Sequence, residues 1–200
     1  MQENPLRAAL IRSAYKAFAK EDYKKVSTNA IVKDANVSKG LLFHYFKNKQ
    51  NLYITLYDMA WKMVRNHVFE RFDFNNRDAF DRLHEMVVKK STFLLENSTI
   101  AQFIKRVHLN TDGEISKKRL KLYHSHRNRD YKTVFDGIDT SYFIYPEDAE
   151  VLFKLVSWTF NRITAEWEKN HVDEDHVVAL NILQTELTEH VILFKRYFYN

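Results

Sequence analysis

The sequence contains no cysteine, three glycines and two prolines, and it has no long apolar run. Without cysteine, disulfides, zinc–thiolate sites, iron–sulfur clusters and thiol nucleophiles are excluded. The scarcity of glycine and proline argues against sandwiches, barrels and doubly wound sheets, whose many tight turns need these residues. No apolar run approaches the roughly 18 residues of a membrane span. The first residues, MQENPLRAAL, also lack the apolar core of a signal peptide. We therefore expect a cytoplasmic protein with no membrane partner.

No pattern typical of an enzyme or a cofactor site is present. A Gly-x-Ser-x-Gly elbow is absent, and three isolated glycines cannot form a phosphate-binding loop. Among the nine histidines, His124 and His126 are the closest pair, but residues two apart do not share a helix face. No third ligand follows them at metal-binding spacing. We expect no catalytic residues, no metal and no cofactor.

The chain has 200 residues of ordinary globular composition, 45% hydrophobic and 28% charged. Apolar residues recur at helical spacing almost throughout, which predicts an all-α protein of about nine helices. Four helices are expected in the first 72 residues, three of them before residue 46, and Asn4, Ser27, Ser38 and Asn48 are their expected N-caps. Longer helices are expected at 77–96, 98–110, 114–136, 147–169 and 174–198, with polar breaks between them. The segment 142–145, YFIY, has no partner strand and is predicted to be a packed loop.

Positive charge is concentrated in the first quarter of the chain. Residues 1–50 carry ten Lys or Arg and four Asp or Glu, whereas the remaining residues carry 21 and 22. Such an excess is expected of a segment that meets a polyanion such as nucleic acid.

The interval 27–49, STNAIVKDANVSKGLLFHYFKNK, has the spacing of a helix-turn-helix. Two short helices flank an Asn36-Val37 turn, and the second helix of such a motif enters the DNA major groove. Leu42 and Phe46 lie four apart and are predicted core residues. Gly40 lowers helix propensity by about 1 kcal/mol relative to Ala, a cost that a close approach to another surface would offset. Lys49 and the N–H groups of the following helix start are suited to a phosphate.

Residues 6–53 resemble the DNA-binding domain of the TetR family of bacterial transcriptional repressors. The match runs from Ala8-Ala9 and Phe18 through Val26-Ser27-Thr28 to VSKGLLFHYFKNKQNLY. The resemblance implies a homodimeric repressor with a three-helix DNA-binding domain at 1–48. It also implies a larger helical domain at 49–200 that binds an effector and dimerises. It does not extend to the sequence of the last 140 residues, which share only the helical layout.

The resemblance also implies which residues contact a double-stranded DNA operator. Ser27 and Thr28 correspond to phosphate contacts, Lys39, Gly40 and Phe43 to base-edge contacts, and His44, Tyr45 and Lys49 to backbone contacts. Phe43 and His44 depart from the family's usual tyrosine or other large aromatic residue, so a hydroxyl–phosphate bond is expected to be missing. Leu41 replaces a small residue and suggests apolar contact with a thymine methyl.

The C-terminal part offers candidates for a small apolar or amphipathic effector and for a dimer interface. The pocket candidates are large apolar residues together with polar groups in apolar surroundings: Trp61, Phe93, Phe103, Val107, Tyr123, Trp158, Asn161 and Arg162. One stripe of the last helix supplies the interface candidates Leu180, Leu187, Val191 and Phe194. Val178, Ile182 and Ile192 lie beside this stripe, and a helix that is apolar on more than one face needs more than one packing partner. A helical ligand-binding or scaffold protein that does not regulate DNA is the alternative function.

Overall fold

The computed structural model describes residues 4–170 and 176–200, and within them the chain is helical. The nine α-helices are α1 (Pro5–Lys20), α2 (Thr28–Asp34), α3 (Lys39–Phe46), α4 (Lys49–Glu70), α5 (Ala79–Glu96), α6 (Ser98–Leu109), α7 (Gly113–Phe135), α8 (Ala149–Asn170) and α9 (His176–Phe198). Short 3₁₀ helices span Thr140–Tyr142 and Pro146–Asp148. The all-α prediction is confirmed.

The expected N-caps explain where the first four helices begin. Asn4 accepts the N–H of Leu6 at 3.0 Å, Ser38 accepts that of Leu41 at 3.2 Å, and Asn48 accepts that of Asn51 at 2.8 Å. Ser27 accepts the N–H of Asn29 at 3.2 Å. Each side-chain oxygen satisfies one donor that the first helical turn leaves unpaired.

Other helix limits differ from expectation by a few residues. α4 ends at Glu70 rather than near Phe72, and α8 begins at Ala149 because Pro146–Asp148 form a 3₁₀ turn. The predicted break from Asn170 to Asp173 lies mostly outside the described residues, as does the predicted helix start at residue 174. Phe143 is fully buried in the expected packed loop, but it also forms an isolated antiparallel bridge with Tyr199.

The helices pack into two compact units. Unit 1 contains residues 1–64 and 96–127, and unit 2 contains residues 65–95 and 128–200. These units differ from the functional division at residue 48, which stays a prediction. No helix in the described part of the chain is long and apolar enough to cross a bilayer.

The core of unit 1 is aromatic. Phe103 of α6 packs edge-on against Tyr15 of α1 and Tyr53 of α4, with ring centroids 5.2 and 5.4 Å away. The ring centroids of Phe18 and Tyr53 are 4.8 Å apart. Tyr15 also donates to the carbonyl of Leu56 at 2.7 Å, so its buried hydroxyl is satisfied. These contacts join α1, α4 and α6 around one centre.

Unit 2 is organised around the buried guanidinium of Arg82, whose side chain is 2% exposed. It donates to the carbonyls of Phe74 and Asp136 at 2.7 Å and to that of Val134 at 3.1 Å. Carbonyls at the end of α7 thereby gain the partners that the helix cannot provide. Gly137 follows with a φ of 84°, the left-handed conformation that glycine adopts without strain.

Candidate nucleic-acid interface

A tight turn joins α2 to α3, and a buried hydrogen bond holds α2 against α1. Asn36 adopts a φ of 52°, and the Val37 N–H donates to the carbonyl of Val32 at 3.0 Å. Ser13 of α1 donates its hydroxyl to the carbonyl of Ile31 at 2.9 Å. Asparagine tolerates the left-handed region better than most residues do, which suits it to this turn.

The side chains of α3 divide into an inner and an outer set. Leu42 and Phe46 are buried, so their predicted core role is confirmed. Lys39, Gly40, Phe43 and His44 are exposed, and Leu41 and Tyr45 are half-buried. The outer face therefore presents cationic, aromatic and hydrogen-bonding groups together, as a major-groove helix requires.

Several contacts within the chain hold the outer side chains of α3 in place. The Lys39 ammonium lies 5.9 Å from the centre of the Phe43 ring, and the guanidinium of Arg7 lies 6.0 Å from the centre of the Tyr45 ring. His44 packs edge-on against Tyr45, with their ring centroids 5.3 Å apart. Side chains supported in this way lose less conformational entropy when they contact a partner.

Lys49 is held at the start of α4 by the loop that follows α1. Its ammonium lies 4.6 Å from the centre of the Tyr23 ring and donates to the carbonyl of Lys24 at 3.4 Å. Burial lowers the pKa of Lys49 from its ordinary value. The sequence interpretation missed Tyr23, although an aromatic residue inside the polar Glu21-Asp22-Tyr23 break was a signal for it.

The nine predicted operator-contacting residues lie on neighbouring segments of unit 1. Ser27 and Thr28 begin α2, six more lie along α3, and Lys49 begins α4 with Gln50 beside it. Lys47, between the last two segments, has a φ of 65°. This conformation of a lysine had no signal in the sequence. The contact of each residue with DNA stays a prediction.

The eight pocket candidates are divided between the two units. Trp61 and Tyr123 lie in unit 1 and join Tyr57 and His108 in an aromatic cluster, with Tyr57 Oη and His108 Nε2 2.9 Å apart. Burial raises the pKa of Tyr57 to about 12. Phe103 and Val107 are fully buried in the same unit.

The remaining pocket candidates lie in unit 2. Phe93 is buried against His67, and Asn161 donates to the hydroxyl of Tyr131 at 2.5 Å. Trp158 and Arg162 are exposed, and Arg162 pairs with Glu166. Four of the eight pocket candidates thus lie in each unit, and their role in a pocket stays a prediction.

The interface candidates on α9 point mostly inward. Leu187 and Val191 are buried inside unit 2, and Phe194 packs on Phe80 and Phe160 at centroid distances of 5.9 and 6.1 Å. Leu180 is half-buried. The stripe chosen from the sequence is thus the side that packs within the chain. The outward side carries Ile182 and Ile192, both exposed.

No group of three or more metal-ligating side chains occurs among the residues that the structure describes. His126 instead bonds Asp58 at 2.8 Å, and Asp58 also pairs with Lys62 at 2.6 Å.

Two capped short helices joined by a tight turn, with an exposed second helix whose side chains are held in place, define a helix-turn-helix DNA-binding protein.

Comparison with known proteins identifies the family. Residues 10–56 match the profile of bacterial regulatory proteins of the tetR family. An uncharacterized HTH-type transcriptional regulator, YhgD of Bacillus subtilis, is 23% identical over 180 residues, which are 88% of this chain and 91% of the relative. The N-terminal segment 10–56 is therefore that of a tetR-family regulatory protein, and the fuller-length relative is an HTH-type regulator. These matches support a DNA-binding transcriptional regulator and not the alternative, a helical ligand-binding or scaffold protein without DNA regulation.

Solved structures share the fold over nearly the whole chain. The fatty acid degradation regulator FadR from Bacillus halodurans superposes with a TM-score of 0.71 at 17% identity, covering 94% of this chain and 96% of its own. FadR from Bacillus subtilis, solved in complex with stearoyl-CoA, gives a TM-score of 0.64 at 17% identity, with 90% and 97% covered. At these identities the likeness establishes the fold.

Proposed function

We propose that the protein is a homodimeric cytoplasmic repressor without catalytic activity, and that a small effector releases it from a DNA operator. The exposed outer face of α3 carries the proposal, because Lys39, Phe43 and His44 stand clear of the core on a helix that a tight turn joins to α2, which is itself bonded to α1. Ser27 precedes that helix in the sequence and Lys49 follows it. The Ser27 hydroxyl and the Lys49 ammonium are groups suited to phosphates.

Lys39 and Lys49 have different roles in this proposal, and DNA binding distinguishes them. Lys39→Ala weakens operator binding by about 1–3 kcal/mol if the ammonium reads a guanine edge, while binding to random duplex changes little. Lys49→Ala weakens both duplexes alike and lowers the magnitude of the salt slope by about one. Fluorescence anisotropy on both duplexes measures this, with the exposed Lys105→Ala as control. Wild-type affinity in both variants contradicts the proposed interface.

Dimerisation is proposed through the outward faces of α8 and α9. Leu155 and Trp158 of α8 and Ile182 and Ile192 of α9 are large apolar side chains exposed in the single chain. Trp158 alone is 53% exposed. Because α8 and α9 pack together, a second copy of the same helix pair is a self-complementary partner that removes this apolar surface from water. A dimer also gives two recognition helices for successive major grooves, about 34–36 Å apart.

The effector is proposed to be an amphipathic molecule that meets the aromatic cluster of Tyr57, Trp61, His108 and Tyr123. Aromatic rings supply apolar contact area, and the paired Tyr57 and His108 supply polar groups that orient a ligand. Release requires tighter effector binding to the state that does not bind DNA.

Stearoyl-CoA, the ligand named for the Bacillus subtilis FadR structure, is a suitable first probe. The proposal expects it, or a shorter acyl-CoA, to raise the melting temperature and to lower operator affinity. Trp61→Ala should remove both effects, whereas Trp167→Phe, a change at a buried tryptophan of unit 2, should leave them in place. An acyl-CoA series that stabilises the protein without changing operator affinity contradicts effector control by this class.

A further inference from the structure

Helix α7 begins with a dense basic segment that the helix-turn-helix does not include. Lys117, Lys118, Arg119 and Lys121 fall within five residues, and Glu114 is the one acidic residue of this first part of the helix. Lys117, Lys118 and Lys121 are exposed, and Lys121 lies four residues after Lys117 and three after Lys118, so it neighbours both on the helix surface. We call these three residues the α7 basic face.

Two side-chain contacts fix the direction of α7 against α4 within unit 1. Lys118 donates to Gln50 at 3.4 Å, and His126 bonds Asp58 at 2.8 Å. The second contact is eight residues further along both helices than the first, so α7 runs parallel to α4. The start of α7 therefore lies beside the start of α4, where Lys49 follows the recognition helix α3.

The charged groups of the α7 basic face are exposed to solvent and are therefore available to a partner. Glu114 approaches Lys117 at 3.4 Å, but Lys117 is 80% exposed, and exposed pairs of this kind contribute little. Lys118 meets the neutral amide of Gln50 rather than a carboxylate. These ammonium groups continue the basic surface of a DNA-binding domain, and their positive charge is complementary to the negative phosphate backbone of duplex DNA.

We propose that the α7 basic face is a second DNA-contacting surface, which binds phosphates flanking the stretch read by α3. The inference rests on the proposed binding of operator through α3. These contacts add affinity that is independent of sequence and lengthen the protected stretch of DNA beyond the footprint of the helix-turn-helix.

The salt dependence of binding by the full chain tests this surface. The test variant is Lys117→Gln/Lys121→Gln, which keeps Lys118 and its contact with α4. The matched control is Arg129→Gln/Lys132→Gln, which removes two exposed charges roughly 17 Å further along the same helix. Operator and random duplexes are compared in a short form that spans the α3 footprint and in a form extended on both sides.

On the extended duplexes the test variant should lose about 0.9 of salt slope per phosphate contact removed, equally for operator and random sequence. On the short duplex it should match the wild type, and the control should match the wild type on both forms. A wild-type slope for the test variant on extended DNA overturns the inference. A loss confined to the operator also overturns it, because phosphates are the same in every sequence. Absence of operator binding by the wild type overturns the proposed function as well.

Discussion

A glycine occupies the second position of α3, where an added Cβ would meet only Ser38 Oγ, at 3.8 Å. Neither packing nor a positive φ requires glycine at this exposed position. We therefore expect a surface outside the chain to approach the α3 backbone closely at Gly40.

Gly40→Ala should separate stability from DNA binding. Alanine is expected to stabilise the free protein by about 0.4–1 kcal/mol, because the unfolded chain loses conformational freedom. Operator binding is expected to weaken by about 1–3 kcal/mol, the range for one base contact, because the methyl group holds the helix away from the groove. Urea unfolding and anisotropy measure the two effects. Unchanged or tighter operator binding would show that DNA does not approach Gly40.

His84 gives unit 2 a dependence on pH. Burial lowers the pKa of His84 below its ordinary 6.5, and its Nε2 lies 3.2 Å from Thr188 Oγ1. Of the charged groups nearby, Asp81 raises this pKa and Lys195 lowers it. At His84 the unfolded chain takes up the proton more readily than the folded chain does. The contribution of His84 to folding stability is therefore fully present above pH 6.5 and is lost as the pH drops below it.

His84→Gln should therefore narrow the difference in melting temperature between about pH 7.5 and pH 5.5. Glutamine stays neutral and can still bond Thr188, so the part of the acid destabilisation that arises from His84 disappears. Thermal unfolding followed by circular dichroism measures the difference, with the exposed His124→Gln as control. An equal pH effect in wild type and His84→Gln would refute this origin.

At the scale of helices, Arg106 joins α6 to the end of α1. Its guanidinium donates to the carbonyls of Ala19 and Lys20 at 2.6 and 2.8 Å and pairs with Asp22 at 3.0 Å. The two carbonyls belong to the last turn of α1, which has no helical partner for them. The same bonds anchor the loop that carries Tyr23 and so support Lys49.

Arg106→Ala should destabilise the protein by about 2–3 kcal/mol, since hydrogen bonds from a charged donor contribute about 1.5–3 kcal/mol each and these are partly exposed. Operator affinity should also fall, although Arg106 has no predicted DNA contact, and Arg106→Lys should restore part of it. Denaturant unfolding and anisotropy are the measurements, with the neighbouring exposed Lys105→Ala as control. Wild-type affinity in Arg106→Ala would confine the residue to a role in stability.

Local features of the sequence predicted most of the helices and of the recognition surface. The caps at Asn4, Ser38 and Asn48 and the inward residues Leu42 and Phe46 depend on neighbours within a few positions, which a sequence displays directly. Arg106 could not be assigned in this way, because its partners lie more than 80 residues away. On α9, periodicity located two apolar sides but could not tell which one packs within the chain.

For the whole molecule, the exposed apolar faces of α8 and α9 predict a dimer that one charge can split. Trp158→Glu or Ile182→Glu would place an unpaired carboxylate in the proposed interface, and its desolvation would oppose association. Light scattering should give twice the 24.0 kDa chain mass for the wild type and the single-chain mass for the variants.

Leu109→Glu is the matched control for this experiment. Leu109 is 70% exposed on α6, outside the proposed interface, so its variant should remain dimeric. Operator affinity should fall in the split variants, because a single recognition helix reads only one half-site. A wild type that is monomeric at micromolar concentration contradicts the dimer.

Unit 1 is discontinuous in the chain, since residues 65–95 separate its two segments. The ribosome completes Phe18 and Tyr53 well before Phe103, the ring on which both pack. At about 5–20 residues per second, the interval from Tyr53 to Phe103 lasts about 2.5–10 s. Throughout that interval the nascent helix-turn-helix lacks the Phe103 ring and the Arg106 guanidinium, which complete its support. A chain still being translated therefore passes through a stage in which the recognition helix has been synthesised but its native orientation has not been secured.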